Sequence, residues 1–119
     1  MTKTVMLVED ELLVAFDVQD IIEAAGFAVD GPYVSVAEAV AAVNAHLPAC
    51  AILDVQLSDG EVFPAADLLH EAGVPMIFHS GHADALSLRD RYPHAMVCGK
   101  PCSPSKLQAT ISDLMNDQR

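Results

Sequence analysis

Short apolar runs of strand length alternate along this chain with longer stretches whose apolar positions recur at helical spacing. Val5-Met6-Leu7-Val8 is the first run and ends on Glu9-Asp10. From Glu11 to Ala25 the pattern turns helical: Val14, Val18, Ile21, Ile22 and Ala25 share one face, Asp10 is placed to cap the start, and Gly26 stops the end. Phe27-Ala28-Val29 predicts a second strand closed by Gly31-Pro32. Ser35-Val36-Ala37-Glu38 is a capping-box pattern that opens an Ala-rich helix running to about His46, before Pro48. The run from Cys50 to Val55 predicts a buried third strand that delivers Asp54 to its C-terminal edge, followed by the polar loop Gln56-Leu57-Ser58-Asp59-Gly60. Phe63-Pro64 to Glu71 reads as a helix stopped by Gly73, and Pro75 to Ser80 as a fourth strand leading into Gly81. Residues His82 to Pro93 carry only a weak helical pattern around Ala83 to Leu88, with few apolar anchors. Ala95 to Cys98 predicts a fifth strand that runs into Gly99-Lys100-Pro101. Ser103-Pro104 then caps and starts a last helix buried along Leu107, Ile111, Leu114 and Met115.

Five strands alternating with helices imply a doubly wound α/β fold: a five-stranded parallel sheet with right-handed crossovers and helices on both faces. In the common strand order 2-1-3-4-5 the first and third strands are neighbours, and the crevice at their C-terminal ends is where ligands bind. Asp10 and Asp54 would then stand about 5 Å apart, by ordinary strand spacing.

Composition narrows the picture. The 119 residues are expected to form one domain, 1–119, with its own core. Hydrophobic residues make up 52%, but no apolar run approaches a membrane span, and Met1-Thr2-Lys3-Thr4 opens no export signal, so a cytoplasmic location and no membrane partner are expected. A net charge of −11 argues against nucleic acid as a partner, because phosphate binding needs clustered Lys and Arg. The odd number of cysteines, Cys50, Cys98 and Cys102, favours reduced thiols over a disulfide framework, with Cys98 as a buried apolar residue and Cys102 as an exposed thiol.

The chemistry concentrates at the strand ends. Glu9, Asp10 and Asp54 in one crevice would repel one another by several kcal/mol at an effective dielectric near ~20. A hard divalent cation relieves this, and carboxylates with a backbone carbonyl suit Mg²⁺. Lys100, on a long stem two strands from Asp54, brings the charge near balance, and Ser80 places a hydroxyl beside Asp54. A carboxylate nucleophile, a cation, a lysine and a hydroxyl are the parts needed to form and hold an aspartyl phosphate.

The set Glu9-Asp10, Asp54, Ser80 and Lys100-Pro101, each after its proper strand, resembles the receiver domain of two-component response regulators, a phosphorelay family of flavodoxin-like fold. The resemblance covers essentially the whole chain and suits a single-domain response regulator. It implies that Asp54 accepts a phosphoryl group from a histidine kinase or histidine phosphotransfer protein and passes the signal to an unidentified downstream protein. It also implies that Glu9, Asp10, Asp54 and the Gln56 carbonyl hold Mg²⁺, with Asp10 direct and Glu9 largely through water, while Ser80 and Lys100 contact the phosphoryl group. Such a protein is a phosphoacceptor regulator with autocatalysed transfer and autodephosphorylation, not an enzyme acting on other substrates. A cis Lys100-Pro101 bond is expected with it. The family's usual aromatic three residues before the lysine is Val97 here, and Phe78-His79-Ser80-Gly81 is similar to the atypical subclass with a Phe-Ala-Thr-Gly motif. Without that ring, the signal is expected to reorder residues 82 to 93 and leave the surroundings of Val97 unchanged. Leu12, Leu13 and Phe16 lie opposite the buried stripe of the first helix, where the resemblance implies a docking face for the kinase.

Two other classes use similar parts. A haloacid dehalogenase-like phosphatase has a second Asp two residues after its nucleophile, where this chain has Gln56. A flavodoxin-like flavin binder needs a first loop rich in Ser, Thr and Gly, and Glu9-Asp10-Glu11 would repel the flavin phosphate. A zinc site from His94, Cys98 and Cys102, with His79 or His82, has spacing unsuited to a strand followed by a loop.

Overall fold

The computed structural model describes residues 3–81, 85–100 and 102–116. In chain order the elements are β1 (Thr4–Val8), α1 (Leu12–Ala24), β2 (Ala28–Tyr33), α2 (Val36–Ala45), β3 (Cys50–Leu53), β4 (Gln56–Leu57), β5 (Gly60–Glu61), α3 (Phe63–Glu71), β6 (Met76–Ser80), α4 (Ala85–Arg91), β7 (Met96–Gly99) and α5 (Pro104–Asn116). The main sheet is parallel in the order β2-β1-β3-β6-β7. This is the expected 2-1-3-4-5 once β4 and β5, an antiparallel hairpin in the loop after β3, are counted.

Side chains alternate across the strands, so the sheet feeds two cores. Met6, Val8, Leu53 and Phe78 pack against α2, α3 and α4, while Val5, Leu7, Ile52, Ile77 and Cys98 pack against α1 and α5. The helix signals act as read in α2, where Ser35 Oγ accepts from Glu38 N at 3.1 Å, and in α5, where Ser103 Oγ accepts from Lys106 N at 3.2 Å. None of the helices among the described residues is long and apolar enough to cross a membrane.

Several expectations need correction. Asp10 does not cap α1: the N-cap is Glu11, without a side-chain bond, and Glu9 Oε2 accepts from Glu11 N at 3.3 Å. Gly31-Pro32 does not close β2, which continues to Tyr33. Gly31 has φ +116°, and a Cβ there would meet Leu7 O at 2.7 Å, so the strand passes this point because the residue is glycine. The cis peptide of the described residues is at Gly31–Pro32, while the Lys100–Pro101 bond lies outside them.

The segment before β7 is better anchored than its pattern suggested. Leu88 and Tyr92 are fully buried, and the Tyr92 ring stacks on Phe78 at 5.3 Å between centroids. The Tyr92 hydroxyl donates to Asp67 Oδ1 at 2.6 Å, and Arg91 Nη2 donates to Asp67 Oδ2 at 2.9 Å while its guanidinium lies 4.3 Å over the Phe63 ring. The apolar anchor that periodicity missed is thus an aromatic just past the helix end, paired with a carboxylate on α3. Residues 82–84 of the same segment lie outside the described residues.

The cysteines also differ from expectation. Cys50 is free and buried, but Cys98 and Cys102 form a disulfide, their Cα atoms 6.0 Å apart. The two cysteines are separated by four positions, one in β7 and the other preceding α5. The bond also occupies both sulfurs of the imagined zinc site, and Cys102 is half-buried.

Candidate functional site

β1 and β3 are paired with Val8 opposite Leu53, so the next residues, Glu9-Asp10 and Asp54, leave the sheet side by side. Backbone bonds fix both exits: Asp54 N donates to Val8 O at 2.9 Å and Glu9 N to Tyr33 O at 2.9 Å. One carboxylate oxygen each from Glu9, Asp10 and Asp54 lies within 4.8 Å of the others. Two strands away, Lys100 N donates to Ser80 O at 2.8 Å, which aligns the lysine with the end of β6. Its Nζ reaches across to Glu9 Oε1 at 3.1 Å and Asp54 Oδ2 at 3.2 Å. Asp54, Glu9, Asp10 and Lys100 therefore come together as the sequence implied.

Charge in this crevice is unbalanced. Burial, and then the neighbouring Asp54 carboxylate, push the Glu9 carboxyl up to about 7 against the pull of Lys100. Burial works to lower the Lys100 ammonium, but the Glu9 and Asp54 carboxylates outweigh it and hold it above its ordinary range. Three carboxylates face one ammonium, a deficit of positive charge that a divalent cation fits. The donors are all hard oxygens, as Mg²⁺ requires.

The other site residues stand differently. Ser80 is buried at the end of β6, and its Oγ donates locally to Gly81 O at 3.1 Å. Gln56 opens the hairpin just past Asp54, paired with Glu61, and its side chain is exposed. That hairpin is held by a residue the sequence reading passed over: Asp59 accepts from Val36 N at 2.8 Å and Ala37 N at 3.3 Å, capping α2 from a distant loop. The Ser58-Asp59-Gly60 turn was its available signal. His79 points to the α1–α5 side; it is 6% exposed and its Nε2 is buried without a hydrogen-bond partner. Burial, and then Lys100, hold its imidazole below the ordinary range. On this side a cavity of about 800 Å³ is lined by Val14, Val18, Ile21, Leu107, His79 and Lys100, among others.

Known proteins share this arrangement of strands and helices. No protein-family model matches the chain. The Phyllosphere-induced regulator PhyR of Methylorubrum extorquens is 30% identical over 97% of the chain, which spans 44% of that relative's length. The PhyR response regulator REC domain of Erythrobacter litoralis superposes with a TM-score of 0.86 at 27% identity, over 99% of this chain and 93% of that one. The likeness is to receiver domains of response regulators. The response regulator PhyR of Brucella abortus adds a TM-score of 0.84 at 29% identity, over 99% of this chain and 49% of its own.

Proposed function

We propose that the chain is a phosphoacceptor: Asp54 takes a phosphoryl group from a histidine kinase or histidine phosphotransfer protein. A carboxylate oxygen of Asp54 attacks the phosphorus of the donor phosphohistidine, the P–N bond breaks, and the imidazole nitrogen leaves with the electron pair. Glu9, Asp10, Asp54 and the Gln56 carbonyl would hold Mg²⁺, which when bound offsets the negative charge of the incoming phosphoryl oxygens. Lys100 is already poised at Asp54 and would follow the charge onto the phosphoryl group. Ser80 would turn its hydroxyl from Gly81 O to a phosphoryl oxygen. The observation that carries the reading is the meeting of the three carboxylates with Lys100 Nζ at the ends of β1, β3 and β7. The test is intact mass after incubation with a small phosphodonor and Mg²⁺. One phosphoryl mass is gained by the native protein and none by Asp54→Asn; labelling that survives in Asp54→Asn overturns the assignment.

Docking of the donor is proposed on α1. Leu13 is 82% exposed and Phe16 52%, an apolar surface that the fold does not use. Phe16→Ala slows transfer from the kinase and leaves uptake from a small donor intact, whereas equal slowing of both would remove α1 from the docking face.

A further inference from the structure

The disulfide has a position that a mere staple does not require. Cys98 is buried in β7 and in register with His79 of β6, on the same face of the sheet. Cys102 is half-buried and lines the cavity between α1 and α5 together with His79 and Lys100. The bond between them spans a sequence separation of 4 and encloses Lys100, the residue whose Nζ lies 3.1 Å from Glu9 and 3.2 Å from Asp54. Lys100 thus lies between two cysteines that are covalently joined, and its N–H donates to Ser80 O. A disulfide that is reached from a cavity at one sulfur and buried at the other has a defined point of attack.

We propose that Cys98 and Cys102 form a reversible thiol–disulfide exchange site, reached through the cavity between α1 and α5, that takes a dithiol as reductant and sets the placement of Lys100. A thiolate of the dithiol attacks Cys102 Sγ, and the protein S–S bond breaks with its electron pair going to Cys98 Sγ, which takes up a proton. The second thiolate of the reductant then attacks its own sulfur in the mixed disulfide and releases Cys102, which is protonated in turn. The dithiol ends oxidised to a disulfide and the protein reduced to two thiols. His79, with a buried ring nitrogen that has no partner, stands in register with the sulfur that is set free. Reduction removes the covalent tie between the residues flanking Lys100, whose ammonium lies 3.2 Å from Asp54. The link to activity rests on the proposed role of Lys100 in phosphoryl uptake; the exchange itself does not.

The experiment uses the whole chain, either oxidised or treated with dithiothreitol, with two readouts. The first is labelling by iodoacetamide under native conditions, located by peptide mapping. Cys102 is labelled only after reduction, and buried Cys50 in neither state. The second is the initial rate of phosphoryl uptake from acetyl phosphate with Mg²⁺. Reduction lowers this rate by roughly three- to tenfold, the scale of a small misplacement of a reacting group, and Cys102→Ser shows one rate with or without reductant. Labelling of Cys102 that does not respond to reduction overturns the exchange site. Responsive labelling with equal rates overturns the coupling to Lys100. If neither form gains a phosphoryl group, the Asp54 assignment fails and the coupling fails with it, while the labelling still decides the exchange.

Discussion

Two carboxylate clusters of this molecule meet cations in opposite ways. Asp67 is fully served: Arg91 and the Tyr92 hydroxyl each take one of its oxygens, and Tyr92, then Arg91, hold its carboxyl below the usual range. Glu9, Asp10 and Asp54 lie together, the Lys100 ammonium reaches Glu9 and Asp54, and Glu9 is pushed up to about 7. A satisfied cluster joins elements, here α3 to the chain just past α4. An under-served cluster stores repulsion that an incoming cation can release, which is what a binding site requires.

Tyr92 holds the served carboxylate and its segment together. Tyr92→Ala removes a fully buried ring stacked on Phe78 and leaves Asp67 with one partner, and unfolding in urea should show a loss of about 3–5 kcal/mol. Tyr92→Phe keeps the ring and should cost only about 1 kcal/mol, since Asp67 is open to water. A loss below about 1 kcal/mol for Tyr92→Ala would mean that this cluster does not hold the segment in place.

The effect at Glu9 has the opposite sign. Its folded-state pKa is raised above its unfolded value, so the folded protein binds the proton more tightly, and stability falls as pH rises from the ordinary carboxylate range through about 7. Glu9→Gln should therefore stabilise the metal-free protein at pH values above that window, by about 1 kcal/mol after its contact with Lys100 is lost. Thermal unfolding in the presence of a chelator measures this. A variant less stable than the parent there would show that the crevice is balanced rather than strained. Asp67 behaves in reverse: its depressed pKa contributes stability above the unfolded value that is lost as pH falls through the folded one.

The under-served cluster was legible in the sequence because each carboxylate closes an apolar run, and parallel strand order brings the ends of such runs together. The served cluster was not, because Tyr92 and Asp67 lie 25 residues apart and neither interrupts a periodic pattern. The Cys98–Cys102 bond was hidden by cysteine arithmetic, which favoured three free thiols. Gly31-Pro32 reads locally as a stop, yet β1 continues to pair beyond it, with Val8 opposite Tyr33. Asp59 caps a helix whose first turn precedes it by more than twenty residues, where capping patterns look only at adjacent positions.

The claim that repulsion among Glu9, Asp10 and Asp54 builds a cation site is tested most directly by calorimetric titration of the protein with Mg²⁺ above and below pH 7. One ion should bind per chain, more weakly at the lower pH, where Glu9 carries a proton, and the site should be lost in Asp54→Asn with the fold intact. Absence of binding in the native protein, or undiminished binding in Asp54→Asn, would contradict it.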